Sequence, residues 1–131
     1  MLTAIFSAGH TKEQLFQALQ QRRCYATTGA RIILGFFIAG YGMGTEVSTQ
    51  TKPGLLLNRH ITGYVAGTAE IEKIELIRNG KVINEWKEKG NYLDFHFDDT
   101  ELLSKIALSI GKEQMFTFYY LRVLQKDGHI A

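Results

Sequence analysis

Cysteine is almost missing from this chain. Cys24 stands alone, so no internal disulfide can form, and neither a zinc knuckle nor a Cys-x-x-Cys redox pair is available. By itself Cys24 reads as a small buried hydrophobe following a helix. Proline occurs once, at Pro53, inside a polar, glycine-rich stretch (40–54) that reads as a loop. A surplus of one charge is also lacking. Fifteen Lys and Arg against thirteen Asp and Glu leave a net charge of +2, too weak a field for a nucleic-acid partner. No apolar run approaches the roughly 20 residues that cross a bilayer as a helix, so no membrane partner is expected. The opening Met1-Leu2-Thr3-Ala4-Ile5-Phe6 has no basic region or long apolar stretch of a secretory signal, and nothing in the residues names a compartment. His10, His60, His96 and His129 are scattered singly, with no His-x-His or Glu-x-x-His pairing for a metal centre.

What is present is the balance of a folding chain. The 131 residues are 45% hydrophobic and 21% charged, enough for one domain that buries roughly two thirds of its unfolded surface. Thr11 and Gln14 have the spacing of a capping box, and Leu15, Phe16 and Leu19 share one helical face, which predicts a helix running to about Arg23. After Gly29 the period shifts towards two. Residues 31–39 read as an interior strand with apolar residues on both faces, and 60–66 as a second strand. Asn79-Gly80 lies between two β-rich runs and predicts a type I′ hairpin. Residues 92–98 alternate, placing Leu93, Phe95 and Phe97 inward and Tyr92, Asp94, His96 and Asp98 outward. Residues 100–108 predict a short helix capped by Asp99 or Thr100, and 115–125 a central strand with Phe116, Phe118 and Tyr120 on one face. Six or so strands behind one helix predict a mainly β fold, an antiparallel immunoglobulin-like β-sandwich with an N-terminal helix.

Both ends read as interrupted. Asp127-Gly128 reads as a two-residue hairpin turn with three residues after it, so the sandwich reads as missing its last strand. Residues 2–6 read as an apolar strand with no partner of its own type. An unpaired long strand near 115–124 would expose backbone groups, from which a homo-oligomer through sheet edges is expected.

Several segments carry a resemblance: Leu2-Thr3-Ala4-Ile5-Phe6, Thr11 through Leu19, and above all Arg22-Arg23-Cys24-Tyr25-Ala26-Thr27-Thr28-Gly29-Ala30-Arg31-Ile32. Met43-Gly44, Val65-Ala66-Gly67, Glu75-Leu76-Ile77-Arg78-Asn79-Gly80 and Tyr119-Tyr120-Leu121-Arg122-Val123 continue it. With these the chain resembles the C-terminal portion of bacterial proteins of unknown function related to the polymerase and histidinol phosphatase (PHP) superfamily of metal-dependent phosphoesterases. The resemblance implies that residues 1–29 are the last strand and helix of a PHP-like barrel and that 30–131 are a β-sandwich accessory domain. It also implies that the metal-binding histidines and carboxylates lie before Leu2. On that view this chain has no catalytic site and no cofactor of its own, divalent metals belong to the parent protein, and the partner is the upstream PHP-like domain.

The remaining candidates have modest readings. Asp94-Phe95-His96 has the Asp-x-His form of a metal motif but sits in a strand far beyond the barrel helix, and reads as a solvated strand face. Gly40-Tyr41-Gly42-Met43-Gly44 matches no nucleotide-loop spacing and reads as a turn. Thr27, Thr28 and Gly29, with Arg23 and Arg31 nearby, offer hydroxyls, amides and cations to an anion, or else form a rigid junction. Trp86 with Tyr64, Tyr92 and Tyr119 could stack on a sugar, or else pack in the sandwich. Two functions follow from different classes: a noncatalytic C-terminal accessory domain of a PHP-like hydrolase, and a carbohydrate- or protein-binding β-sandwich module.

Overall fold

The computed structural model describes residues 1–111 and 114–131. Their order is β1 (Leu2–Ile5), α1 (Lys12–Gln20), β2 (Cys24–Thr27), β3 (Ile33–Ile38), β4 (Tyr41–Gly42), a 3-10 turn (Pro53–Leu56), β5 (Arg59–Ala66), β6 (Ile71–Arg78), β7 (Lys81–Trp86), β8 (Tyr92–Asp99), α2 (Leu103–Ile106), β9 (Leu108–Ile110), β10 (Gln114–Phe116) and β11 (Tyr119–Gln125). Every strand pairing among them is antiparallel.

Helix α1 begins as the capping box requires: Thr11 accepts from the Gln14 N–H while the Gln14 side chain accepts from the Thr11 N–H. It stops at Gln20, short of Arg23, because Arg22 adopts φ 58° and leaves the helical region. The next residues form β2, which pairs with β1 from Leu2↔Thr27 to Ile5↔Cys24. The strand at 2–6 therefore does have a partner, one on the far side of the helix. Cys24 lies half-buried within β2.

The two larger sheets face each other. One has the order β4-β3-β5-β8 and the other β11-β6-β7. Alternation sets which residues meet. Leu34, Val65 and Phe95 from the first sheet close on Ile71, Ile74 and Val123 from the second, and Phe36 and Ile61 close on Leu76. Side chains buried this fully each contribute about 1.5–3 kcal/mol. No closed barrel forms among the described residues. The Asn79-Gly80 turn is the type I′ hairpin that the sequence predicts, with φ 50° and 82°. In β8, Phe95 is buried and Leu93 and Phe97 half-buried, while Tyr92, Asp94, His96 and Asp98 face solvent.

Other elements depart from expectation. β3 is shorter than 31–39, and its outer side chains Ile33 and Phe37 are exposed, so it is covered on one face only. Tyr41–Gly42 pairs with the end of β3 inside the glycine-rich loop. The short helix is confined to Leu103–Ile106, with Leu102 at its N-cap and no side-chain cap, because the Asp99 carboxylate is taken by arginines. The stretch 115–125 splits into β10 and β11, and β11 is an edge strand rather than a central one. The turn after β11 is a three-residue loop: Gln125 donates its N–H to the His129 carbonyl, and Gly128 alone has positive φ, 87°.

Candidate functional site

β11 and the β3–β4 edge do not close on each other. Between them lies a groove of about 1390 Å³. Its lining mixes apolar side chains such as Leu34, Phe36, Met43 and Leu121 with polar ones such as Glu46, Ser48, Arg59 and Gln114. This is larger than the roughly 300–1,000 Å³ of pockets that enclose small ligands.

At one end the groove reaches a buried polar network built by strand register. Arg59 opens β5 and stands directly opposite Asp99, which ends β8; both are 2% exposed. Their ion pair spans 3.1 Å. Arg78 donates to both Asp99 oxygens at 2.9 Å, and the Tyr119 hydroxyl donates to Asp99 Oδ2 at 2.6 Å. Arg59 also donates to Tyr119 Oη and to the carbonyls of Leu55 and Glu101. Burial pushes the Asp99 carboxyl up, but the bonds from Tyr119, Arg78 and Arg59 outweigh it and hold the group below the usual carboxylate range. Burial and the Asp99 carboxylate push the Tyr119 hydroxyl up to about 12. A phenol held protonated in this way is no base at neutral pH, and a carboxylate that accepts from Arg59, Arg78, Tyr119 and the Glu101 N–H has little left for a substrate. Among the described residues no buried side-chain nitrogen or oxygen lacks a partner. The network fixes geometry.

A second polar lock sits at the other end of β11. Gln125 is fully buried. Its Oε1 accepts from the Thr68 and Ala69 N–H groups, and its Nε2 donates to the Thr68 hydroxyl and to Asp127. This holds the β5–β6 loop to the end of the chain.

The residues singled out from sequence do not share one recess. Thr27 is buried and its hydroxyl accepts from the Gly29 N–H. The Thr28 hydroxyl accepts from the Ile130 N–H and lies 3.0 Å from His129 Nδ1. Arg23 borders a small recess beside α1, with Phe6 and Gln14, and Arg31 is exposed. Both hydroxyls thus serve the chain's own backbone, as a junction does. Trp86 packs inward, its ring 4.6 Å from Phe95 and edge-on to Phe97, and Tyr119 belongs to the buried network. Inward parity on β7 and β11 turns these two half-buried rings towards the space between the sheets, whereas Tyr92 is exposed on β8. Asp94 accepts from the Tyr92 hydroxyl, and Asp98 from Asn58 and His60. Among the described residues no group of three or more His, Cys, Asp or Glu is placed to hold a metal ion, and no helix is long and apolar enough to cross a membrane.

Comparison with known proteins adds context. Residues 1–60 match a family described as a protein of unknown function, DUF3604. The chain is 47% identical over 131 residues to an uncharacterized protein of Chlamydia muridarum and 46% identical to one of Chlamydia trachomatis serovar D. It is 50% identical over 132 residues to an uncharacterized protein of Chlamydia pneumoniae. Each match covers 99% of this chain and 21% of the relative. The chain thus spans about a fifth of the length of the curated relatives it matches. No solved structure matches it.

Proposed function

We propose that this chain is a noncatalytic accessory region of a longer, PHP-like metal-dependent hydrolase, its two facing sheets forming an immunoglobulin-like sandwich and its β1-α1-β2 unit meeting the preceding part of that protein. One observation carries the reading. The N-terminal unit leaves large apolar side chains uncovered, as Leu57, Ile110 and Met115 are elsewhere: Phe16 on α1 is 60% exposed, and Leu19, Leu2 and Phe6 are exposed as well. Several large apolar side chains exposed on one small unit support a face that another body covers. The span of about a fifth of the relatives agrees with a body of that sort existing in the longer protein. The sequence resemblance supplies its kind, a barrel that performs metal-assisted hydrolysis of phosphoesters with divalent ions bound before Leu2.

Within the sandwich, the satisfied Arg59–Asp99–Tyr119 network supports a structural role over a chemical one. The test compares this chain with the full-length protein on phosphoester substrates with added Mn²⁺ or Zn²⁺. Turnover is expected from the full-length protein alone; robust turnover by this chain would defeat the proposal. A paired measurement sharpens the docking face. Phe16→Asp is expected to weaken association of this chain with the separately expressed upstream part while changing its own unfolding free energy by no more than about 0.5 kcal/mol, as for other exposed substitutions.

A further inference from the structure

The outer face of the β4-β3-β5-β8 sheet has an order of its own, set by register. Gly35, Tyr64 and Asp94 stand side by side on β3, β5 and β8, and Phe37, Thr62 and His96 form the next row. Gly35 belongs to this outer face and is nevertheless buried, because the Tyr64 ring lies across it. A Cβ at that position would run into Tyr64 Cε1 and Cζ, so the missing side chain is what lets the ring rest on the β3 backbone. Tyr64 remains half-buried, and among the described residues no other aromatic ring or cation caps it. The polar groups around it are open as well. One row away Asp98 is taken by His60 and Asn58. Asp94, by contrast, accepts from the Tyr92 hydroxyl through Oδ1 and keeps Oδ2 free. Among the described residues no protein group bonds to Tyr64 Oη, to Thr62 Oγ1 or to the His96 ring.

We propose that this face binds a neutral oligosaccharide, one sugar ring stacking on Tyr64 and the next bonding through its hydroxyls to Thr62, Asp94 and His96. A pyranose presents a face of C–H groups that matches an aromatic ring, and a rim of hydroxyls that donate and accept. Asp94 gives those hydroxyls a charged acceptor, which bonds roughly twice as strongly as a neutral one, and the Tyr92 hydroxyl holds it in place. Spacing asks for more than one sugar unit. The Tyr64 ring lies over β3, whereas Asp94 and His96 stand on β8, two strand spacings or about 9–10 Å away. A single hexose does not reach both. Charge disfavours the other ligand that stacks on a ring, a nucleotide, since its phosphate would meet no Lys or Arg on the outward positions of β3, β5 and β8 but two carboxylates, Asp94 and Asp98. The site lies wholly on this sheet and does not rest on the accessory reading.

NMR titration of this chain with cello-, xylo-, malto-, manno- and chitotetraose, each up to about 10 mM, tests it. At least one is expected to shift the Tyr64 ring and His96 imidazole resonances saturably. The matching monosaccharide should bind about tenfold more weakly, because it loses one of the two strands. Silence from every tetrasaccharide would overturn the inference. Tyr64→Ala is expected to weaken binding about tenfold, and Gly35→Ala, which keeps the phenol but displaces it, should weaken it as well. Should neither fold, Asp94→Asn alters only an exposed side chain and is expected to weaken binding several-fold. Unchanged affinity in the folded variants would overturn the proposal. Adenosine monophosphate acting on the same resonances as tightly as the best sugar would assign the face to a nucleotide, and shifts on concentrating the chain alone would assign it to a second copy; either result also overturns it. Phosphoester turnover by this chain would defeat the accessory reading and leave the titration standing, so the two can fail separately.

Discussion

The two flanks of the molecule contain similar side chains and reach different ends. On the β7–β8 flank, Trp86 reaches across to Phe95 and Phe97 and seals the space between the sheets. On the β11–β3 flank, Leu121 packs against the core clusters, yet Phe36, Phe118 and Leu121 still border an open groove. Apolar composition alone therefore does not close a two-sheet core. Closure needs a side chain long enough to touch the opposite layer, since close packing rather than oiliness stabilises an interior.

The largest effect should come from opening the closed flank. Trp86→Ala is expected to cost about 3–5 kcal/mol, whereas Phe118→Ala on the open flank should cost about 1 kcal/mol or less, because much of that ring already meets solvent. Urea unfolding midpoints measure both, and equal losses would show that the flanks are equally sealed. Asp99→Ala, which strands Arg59 beside the groove, is expected to cost a similar 3–5 kcal/mol, roughly. Asp99→Ala combined with Arg59→Leu should recover part of that loss if burial of an unpaired cation is its cause.

A smaller effect is expected at the far end of β11. Gln125→Ala leaves the Thr68 and Ala69 N–H groups without their acceptor and should cost about 1–3 kcal/mol. The pH dependence separates the two ends further. The Tyr119 hydroxyl is raised to about 12 from an ordinary value of 10.0, so its contribution is complete below pH 10 and is lost as the pH rises towards 12. Asp99 is shifted the other way, so its contribution is present above the ordinary carboxylate range and is lost on acidification. Tyr119→Phe should abolish the alkaline limb and soften the acid limb, which Arg78 and Arg59 then maintain alone. A variant with both limbs unchanged would remove Tyr119 from the network's energetics. The smallest change is expected at Arg22, whose ion pair with Glu46 lies in solvent; Arg22→Ala should cost about 0–1 kcal/mol, and added salt should erase most of it.

What the sequence discloses depends on how far the deciding partner lies along the chain. The capping box, the Asn79-Gly80 turn and the parity of β8 are local, and the residues state them directly. The buried network was one step away. Continuing the alternation of β8 past Phe97 puts Asp99 inward, and an inward carboxylate demands a cation that register with β5 supplies in Arg59. The pairing of β1 with β2 was hidden because a whole helix separates two short apolar runs, each of which reads alone as unpartnered. The edge position of β11 was hidden for a different reason: its length and aromatic content look central, yet the neighbours of a strand are set by topology and not by its own residues. The turn at Asp127 misled because an Asp-Gly pair serves both a two-residue turn and the end of a three-residue loop.

The junction at Thr28 has a temporal side. Its hydroxyl holds the backbone of Ile130 across 102 residues of sequence, and its own N–H donates to the Ile130 carbonyl. A protein synthesised from its amino end therefore finishes the β1-α1-β2 unit long before the clasp that secures it to the rest has left the ribosome. Such distant closures slow folding, so the exposed helix face is formed and open to solvent throughout that interval, before the sheets behind it are complete.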